Sequence, residues 1–150
     1  MPNKMPTPDQ MLQLDRQLCF ALYSASHAMS KAYKPHLDAL GLTYPQYVAM
    51  LVLWERDGLT VSEIGERLYL DSGTLTPLLK RLEGAGYISR LRDTADERRV
   101  LIQLTAAGRK LKAKAVALPA CMFETMQCSI QELSDLTRQV QQLRDRLQAA

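Results

Sequence analysis

The residues most capable of chemistry are three cysteines: Cys19, in the stretch "QLCFALYS", Cys121 and Cys128. Their odd number, wide spacing and lack of any CxxC argue against a disulfide framework or a zinc knuckle. His27 and His36 stand nine residues apart, off the spacing that pairs two ligands on one helix face, so both read as structural or solvated. No metal and no cofactor are expected. Thiol chemistry remains: a thiolate is a nucleophile whose first oxidation product is a sulfenic acid. The plainer role for Cys19 is packing as a small hydrophobe. Stepping from Leu14 at about 100° per residue, Ala21 falls near −20°, Leu22 near 80° and Cys19 near 140°. Cys19 is thus at the margin of its apolar stripe, half-sheltered yet open to a small apolar oxidant. Asp15 lies one turn back and Arg16 is rotated away. The local supports for a negative charge are therefore the helix N-terminal field, weak that far into a helix, and tyrosine hydroxyls.

A second set of residues points to a polyanion. The chain of 150 residues carries a net charge of only +3. Lys80 to Lys114 hold ten Lys/Arg against four acids, a local +6 that leaves the remainder at −3. Four of the cations, Arg90, Arg92, Arg98 and Arg99, flank the polar tip Asp93–Glu97, between the β-prone stretches "GYISRLR" and "RRVLIQLT". A guanidinium at such a tip can enter a narrow minor groove. Asp96 is expected to hold Arg98 through a bidentate pair.

The elements that position these residues are mostly helical. One apolar stripe runs from Gln10 to about Lys34 and is broken by Pro35 and by Gly41-Leu42-Thr43; Pro45 then opens an apolar helix ending before Asp57-Gly58. Thr60-Val-Ser-Glu63 reads as a capping box starting a helix to about Tyr69, and Asp71-Ser72-Gly73 as a short turn. "TLTPLLKRLEGAG" makes the next helix, its end marked by Gly84 and Gly86. With Leu75 at zero, Leu78, Leu79 and Leu82 stay within about 60°, while Gly73, Thr74, Pro77, Lys80 and Arg81 point away. Pro77 fits best if the helix starts late, with Thr76 as cap. After the hairpin a helix leads to Pro119, which should kink or restart it. A capping box at Ser129-Ile-Gln-Glu132 then opens a last helix with a seam of Leu133, Leu136, Val140, Leu143 and Leu147. On a continuous helix Cys121 and Cys128 would share one face, about 10 Å apart.

Two helices joined by a short turn and followed by a basic hairpin form a winged helix-turn-helix pattern. The expected fold is mainly α with a small β-wing, in one domain over residues 1–150. Residues 45–104 would form the DNA-binding region, and residues 10–34 and 105–149 the helices of a homodimer platform. Candidate DNA contacts are Ser72, Gly73, Thr74, Thr76, Pro77, Lys80 and Arg81 on the helix, with Arg92, Asp96, Arg98 and Arg99 on the hairpin. No apolar run approaches a membrane span, and Met1–Pro8 holds three prolines and no apolar stretch, so a cytoplasmic chain without a membrane partner is expected.

"TVSEIGERLYLDSGTLTPLLKRLEGAGYISR" and "DERRVLIQLTAAGRKL", with Asp96-x-Arg98 and Leu104-Thr105, resemble the MarR family of dimeric winged-helix regulators over essentially the whole chain. "QLCFALYSA" and "LTYPQYVAMLVLWE" resemble its OhrR-like branch, which senses organic hydroperoxides. The resemblance implies a repressor of a peroxide-detoxification gene that binds a pseudo-palindromic operator. The helix near 72–84 would enter the major groove and Arg98 the minor groove. It also implies that Cys19 is the redox sensor, hydrogen-bonded by Tyr33 and Tyr44 of the partner subunit. Phe20 and Tyr23 would line its pocket, although Tyr23 reads equally well as a core aromatic. Two-cysteine members then form a disulfide across the dimer. Cys121 and Cys128 are the candidates here, Cys121 slightly preferred; the usual resolving position falls at Glu124, and capping by a small thiol is the other route. Three further readings compete: a MarR-type regulator of a non-covalent aromatic ligand with Cys19 structural, a thiol peroxidase, and a purely structural helical dimer. The missing thioredoxin-like strand pattern and the basic hairpin count against an enzyme.

Overall fold

The computed structural model describes residues 4–150; the first three residues of the proline-rich Met1–Pro8 stretch lie outside the described residues. The chain forms two compact units, Met1–Ala115 and Val116–Ala150.

The first unit begins with α1 (Pro8–Met11), opened by a Thr7–Gln10 capping box, and a 3-10 turn at Leu14–Arg16. The expected helix from Gln10 is therefore interrupted. Gln13 and Gln17 are extended, and the Gln17 side-chain amide donates to the carbonyls of Met11 (2.6 Å) and Gln13 (3.0 Å), tying the segment down. The long helix α2 (Leu18–Leu40) starts only afterwards. It also runs through Pro35 instead of stopping there. Pro35 and Lys31 are both exposed, so water can take the Lys31 carbonyl that loses its helical donor, while buried Leu37 and Leu40 hold the last turn. Gly41, at φ 69°, ends the helix, with its N–H on Asp38 O and the Leu42 N–H on Leu37 O.

Helix α3 (Tyr44–Glu55) has the Thr43–Gln46 capping box and Pro45 in its first turn. Strand β1 (Leu59–Thr60) leads into α4 (Val61–Leu68), and α5 (Ser72–Gly84) follows. The hairpin is β2 (Ile88–Arg92) and β3 (Val100–Leu104), antiparallel from Ile88 opposite Leu104 to Arg92 opposite Val100. β1 adds to the other edge of β3, giving the order β1-β3-β2. This two-residue strand leaves no mark in the sequence, being too short for any alternation to register. Helix α6 (Ala106–Ala115) closes the unit. The core joins Met50 and Leu53 of α3, Ile64 of α4, Leu75, Leu79 and Leu82 of α5, and Ile88 and Ile102 of the sheet.

The α4–α5 turn differs from the expected Asp71-Ser72-Gly73. It lies at Tyr69-Leu70-Asp71, with Tyr69 in the left-handed region at φ 57° and the Leu70 N–H on Gly65 O at 3.0 Å. Asp71 caps α5, accepting from the Thr74 N–H at 2.7 Å, so α5 starts at Ser72 and not at a Thr76 cap. Thr60 caps α4, but Glu63 does not reach back to complete the box; its carboxylate lies 3.6 Å from Arg99.

The second unit holds α7 (Leu118–Met126) and α8 (Ile130–Ala149). Pro119 restarts the helix, sitting in the first turn of α7. The continuous helix expected to carry Cys121 and Cys128 is absent: Gln127, at φ 54°, ends α7, and Cys128 lies in the link before the Ser129 cap of α8.

Two stability predictions follow from the α4–α5 turn. A Cβ on Gly65 would sit 2.8 Å from the Leu70 carbonyl oxygen and 3.6 Å from Leu75 Cδ2. Gly65→Ala should therefore destabilise the protein by about 1–3 kcal/mol, read as a lower urea midpoint at unchanged slope. An unchanged midpoint would show that the turn can yield. The hydrogen bonds from Thr74, above all from its backbone N–H, hold the Asp71 carboxyl below its ordinary range. Its stabilising effect is then complete above about pH 4, the unfolded value, and is lost as pH falls through the lower folded value. Asp71→Asn should flatten the acid limb of the stability curve by a small amount, because the group is exposed; superimposable acid limbs would refute the assignment.

Candidate nucleic-acid interface and thiol site

The outward face of α5 presents Ser72, Gly73, Thr74, Pro77, Lys80 and Arg81, all exposed, with Thr76 half-buried. Leu75, Leu79 and Leu82 anchor the opposite face in the core, while Leu78 is only half-buried. Pro77 has no N–H, so the Gly73 carbonyl is left without its helical donor at an exposed position. Small groups and hydroxyls near the N-terminus permit close approach to base edges, and the two cations further along suit phosphates.

The hairpin tip is a compact hydrogen-bonded turn. The Asp93 N–H donates to Arg99 O at 2.9 Å, the Arg99 N–H to Asp96 O at 3.0 Å and the Ala95 N–H to Asp93 Oδ1 at 2.9 Å. Asp96 accepts the Arg98 backbone N–H at 3.1 Å, and only Nε of the guanidinium comes near it, at 3.9 Å. The expected bidentate pair is thus replaced by a turn-forming backbone bond, because residues two apart at a tight tip bring Oδ1 to the main chain first. The Arg98 side chain is left 96% exposed. Arg92 donates to Glu97 O at 3.2 Å, and Arg99 lies between Glu63 (3.6 Å) and Asp93 (3.9 Å).

Between the start of α4, the first turns of α5 and the hairpin lies a cleft of about 550 Å³, lined by residues including Ser72, Thr76, Arg90, Arg98 and Arg99. Arg90 was not among the contacts expected from sequence. Alternation along β2 gives its side a direction but not its burial, which is set by the packing of α5 against the sheet.

The thiol lies elsewhere in the first unit. Cys19 is exposed, in the first turn of α2 and not deep within a helix. No side chain caps that turn, since the amide of Gln17 faces back toward Met11 and Gln13. The first N–H groups of α2 are therefore left without a side-chain acceptor. Phe20 and Tyr23, with Ser24, His27, Ala28 and Lys31, line an adjacent open hollow of about 380 Å³. Tyr23 stacks edge-on with His27 at 4.5 Å.

Tyr33 and Tyr44 also come together, with ring centroids 5.1 Å apart, in a cluster that includes Tyr47 and, through it, Trp54. Burial raises the Tyr33 hydroxyl pKa, with the Tyr44 and Tyr47 rings adding to the effect, and burial does the same for Tyr47. The Tyr33 phenol therefore stays protonated at neutral pH and can donate a hydrogen bond. Cys19 precedes Tyr33 by fourteen residues on α2, about 21 Å at 1.5 Å per residue, so one chain does not bring these two together. In the second unit Cys121 is half-buried within α7 and Cys128 half-buried in the link, its Sγ–H donating to Met126 O at 3.4 Å. Among the described residues no group of three or more His, Cys, Asp or Glu is placed to hold a metal, and no helix is long and apolar enough to cross a membrane.

Comparison with known proteins places this arrangement in a family. A family model described as transcriptional regulator SarA/Rot matches residues 31–115. The chain is 54% identical over 125 residues to the organic hydroperoxide resistance transcriptional regulator of Bacillus subtilis, covering 83% of this chain and 85% of that one. It is 51% identical over 141 residues to the HTH-type transcriptional regulator TtmR of Methylorubrum extorquens, covering 94% and 72%. Among solved structures, reduced AbfR bound to DNA superposes with a TM-score of 0.77 at 33% identity, over 94% of this chain and 99% of that one. AbfR, a Staphylococcus epidermidis protein, has also been solved overoxidised on DNA and in a disulfide-formed state. The chain belongs to the MarR family of winged-helix transcriptional regulators, in its OhrR-like branch, and is a regulator, not an enzyme.

Proposed function

We propose that this protein is a cytoplasmic, homodimeric repressor that binds a pseudo-palindromic operator and releases it when an organic hydroperoxide oxidises Cys19. The observation that carries the reading is an exposed thiol in the uncapped first turn of α2, in a chain that also presents a hydroxyl- and cation-bearing helix beside a basic wing. The relatives' names, one for organic hydroperoxide resistance and one solved in reduced, overoxidised and disulfide-formed states, favour it over a non-covalent aromatic effector.

In this reading α5 enters the major groove with Ser72, Gly73, Thr74, Thr76 and Pro77 near base edges and Lys80 and Arg81 on phosphates. Arg98 enters the minor groove, with Asp96 shaping the tip and Arg92 and Arg99 supporting it. Exposed apolar side chains support a dimer. Leu14, Leu18 and Leu22 lie at and before the start of α2, and Leu136, Val140 and Leu147 on α8, in which no residue is buried. Such stripes need a partner surface, and a second copy supplies one. We take the two units as parts of one MarR-type domain.

The redox step runs as follows. The Cys19 thiolate attacks one peroxide oxygen, the O–O bond breaks, and the alcohol leaves with a proton, giving a sulfenic acid. Tyr33 and Tyr44 of the partner subunit would donate hydrogen bonds to the sulfur, with Phe20 and Tyr23 lining the approach. A resolving thiol then displaces hydroxide, taken off as water, and forms a disulfide. Local structure favours Cys128 over Cys121 as that thiol. Cys121 is tied within α7 by its N–H on Ala117 O (3.3 Å) and its carbonyl under Thr125 Oγ1 (3.0 Å), so its movement must unwind a helix. Cys128 needs only the link to open.

Affinity for the DNA upstream of the protein's own gene should be measured at fixed salt before and after one equivalent of an organic hydroperoxide. The wild type should lose binding by at least about tenfold, a change of about 1.4 kcal/mol, and Cys19→Ser should lose none. Equal release by Cys19→Ser would end the redox reading. Peptide mapping of the oxidised protein should find Cys19 joined to Cys128, a cross-link kept in Cys121→Ser and absent from Cys128→Ser. The reverse pattern would restore Cys121.

A further inference from the structure

Among the wing arginines, Arg92, Arg98 and Arg99 each have an acceptor within the hairpin or on α4. Arg90 is different. Its backbone N–H donates to Glu83 Oε2 at 3.2 Å, but among the described residues its guanidinium has no hydrogen-bond or ion-pair partner, and its Nε is fully buried. Arg98 is nearly free in solvent, whereas Arg90 is half-buried. The buried Nε–H is withdrawn from water with no acceptor in the described chain, so its acceptor is expected from outside.

The setting indicates what that acceptor is. Arg90 lines the 550 Å³ cleft with the hydroxyl-bearing Ser72 and Thr76 of α5, near the helix N-terminus, and with Arg98 and Arg99. Glu63 is the one carboxylate lining the cleft, and Arg99 lies 3.6 Å from it, so three cations face one partly neutralised acid. Free hydroxyls and a guanidinium fork converging on one space suit a tetrahedral oxyanion. On the DNA-binding reading proposed above, α5 lies in the major groove and the wing tip in the adjacent minor groove. What divides those grooves is a sugar–phosphate strand, and the cleft between helix and wing must straddle it.

We infer that Arg90, with Ser72 and Thr76, holds a backbone phosphodiester of the operator in the cleft between α5 and the wing. The contact carries no base information. It fixes how deep the helix and the wing sit together, and it makes Arg90 a positioning residue for both.

The test compares wild type with Arg90→Gln by measuring DNA affinity across a salt series, on the operator and on a scrambled duplex of equal length, together with melting temperature. The inference expects affinity for both duplexes to fall by about the same factor, tenfold or more. The slope of log K against log salt should shrink by about 0.9 per protomer, or about 1.8 for a dimer. The melting temperature should hold or rise, since an unpaired half-buried charge is removed. In wild type, replacing single phosphates by neutral methylphosphonates should identify one position per half-site whose neutralisation weakens binding, and Arg90→Gln should be indifferent there. An unchanged salt slope, a loss confined to the operator, or a fall in melting temperature would each overturn the inference, the last by showing that the fold itself uses the guanidinium. Wild type that fails to bind the operator would instead bring down the DNA-binding reading on which the inference rests.

Discussion

The backbone of Gly108 approaches the carbonyl of Tyr87 so closely that a Cβ at position 108 would overlap it, with Leu104 Cδ2 only 3.3 Å away. The DNA-facing parts depend on this junction. The Gly108 carbonyl accepts the indole N–H of Trp54 at 3.0 Å, which ties α6 to α3. Thr105 donates its hydroxyl to Gly86 O at 2.6 Å and its N–H to Tyr87 O at 3.0 Å, joining the end of β3 to the chain that leaves α5. Asp57 Oδ1 takes the N–H groups of Leu104 and Gly58, both at 2.8 Å, and so links the end of α3 to the sheet. The exit of α5, the root of the wing and the start of α6 are therefore fixed to one another by hydrogen bonds around a buried glycine. A wing that leaves its root at a fixed angle can present an exposed tip without the tip itself being held.

That rigidity allows the electrostatics of the interface to be loose. The ion pairs of the wing, at 3.6 and 3.9 Å between half-exposed groups, contribute little to stability, and salt screens them. They keep cations near the surface without sequestering them, so a phosphate or a groove edge can compete for the same guanidinium. Burial runs the other way along the hairpin, with Arg98 near the tip almost free and Arg90 near the root half-buried. Cations at the root are aimed by the fold, and those near the tip are left free to adapt to whatever they meet.

The order of elements was legible in the sequence because its signals were local. The Ser129–Glu132 box, Pro45, and the leucines 75, 79 and 82 each state their role within one or two turns, and the structure realises them. Pro35 misled because its cost is local while the gain that outweighs it, burial of Leu37 and Leu40, is tertiary. Apolar periodicity starts the first helix too early because the break at Gln17 is made by side-chain amide bonds to carbonyls four and six residues away. Glu63 had the spacing of a capping box, yet Arg99 of the wing lies close to its carboxylate. The place of Cys19 in the first turn of α2, and not deep within a helix, depended on that hidden break.

The same helix sets a geometrical condition on the thiol chemistry. Fourteen residues of unbroken α2 separate Cys19 from Tyr33, and a helix neither folds back nor shortens, so any phenol from the tyrosine cluster that reaches this sulfur must come from another chain. On the proposed reading, a sensor completed only by dimerisation would be coupled to the spacing of two DNA-reading helices, because the contact to the sulfur would also cross the subunit boundary. Oxidation then need not travel through the protein to reach the DNA. On that reading a covalent change at the start of α2 would act directly on the association of the two copies, and two half-sites one helical turn apart would turn a small change in that association into loss of simultaneous binding.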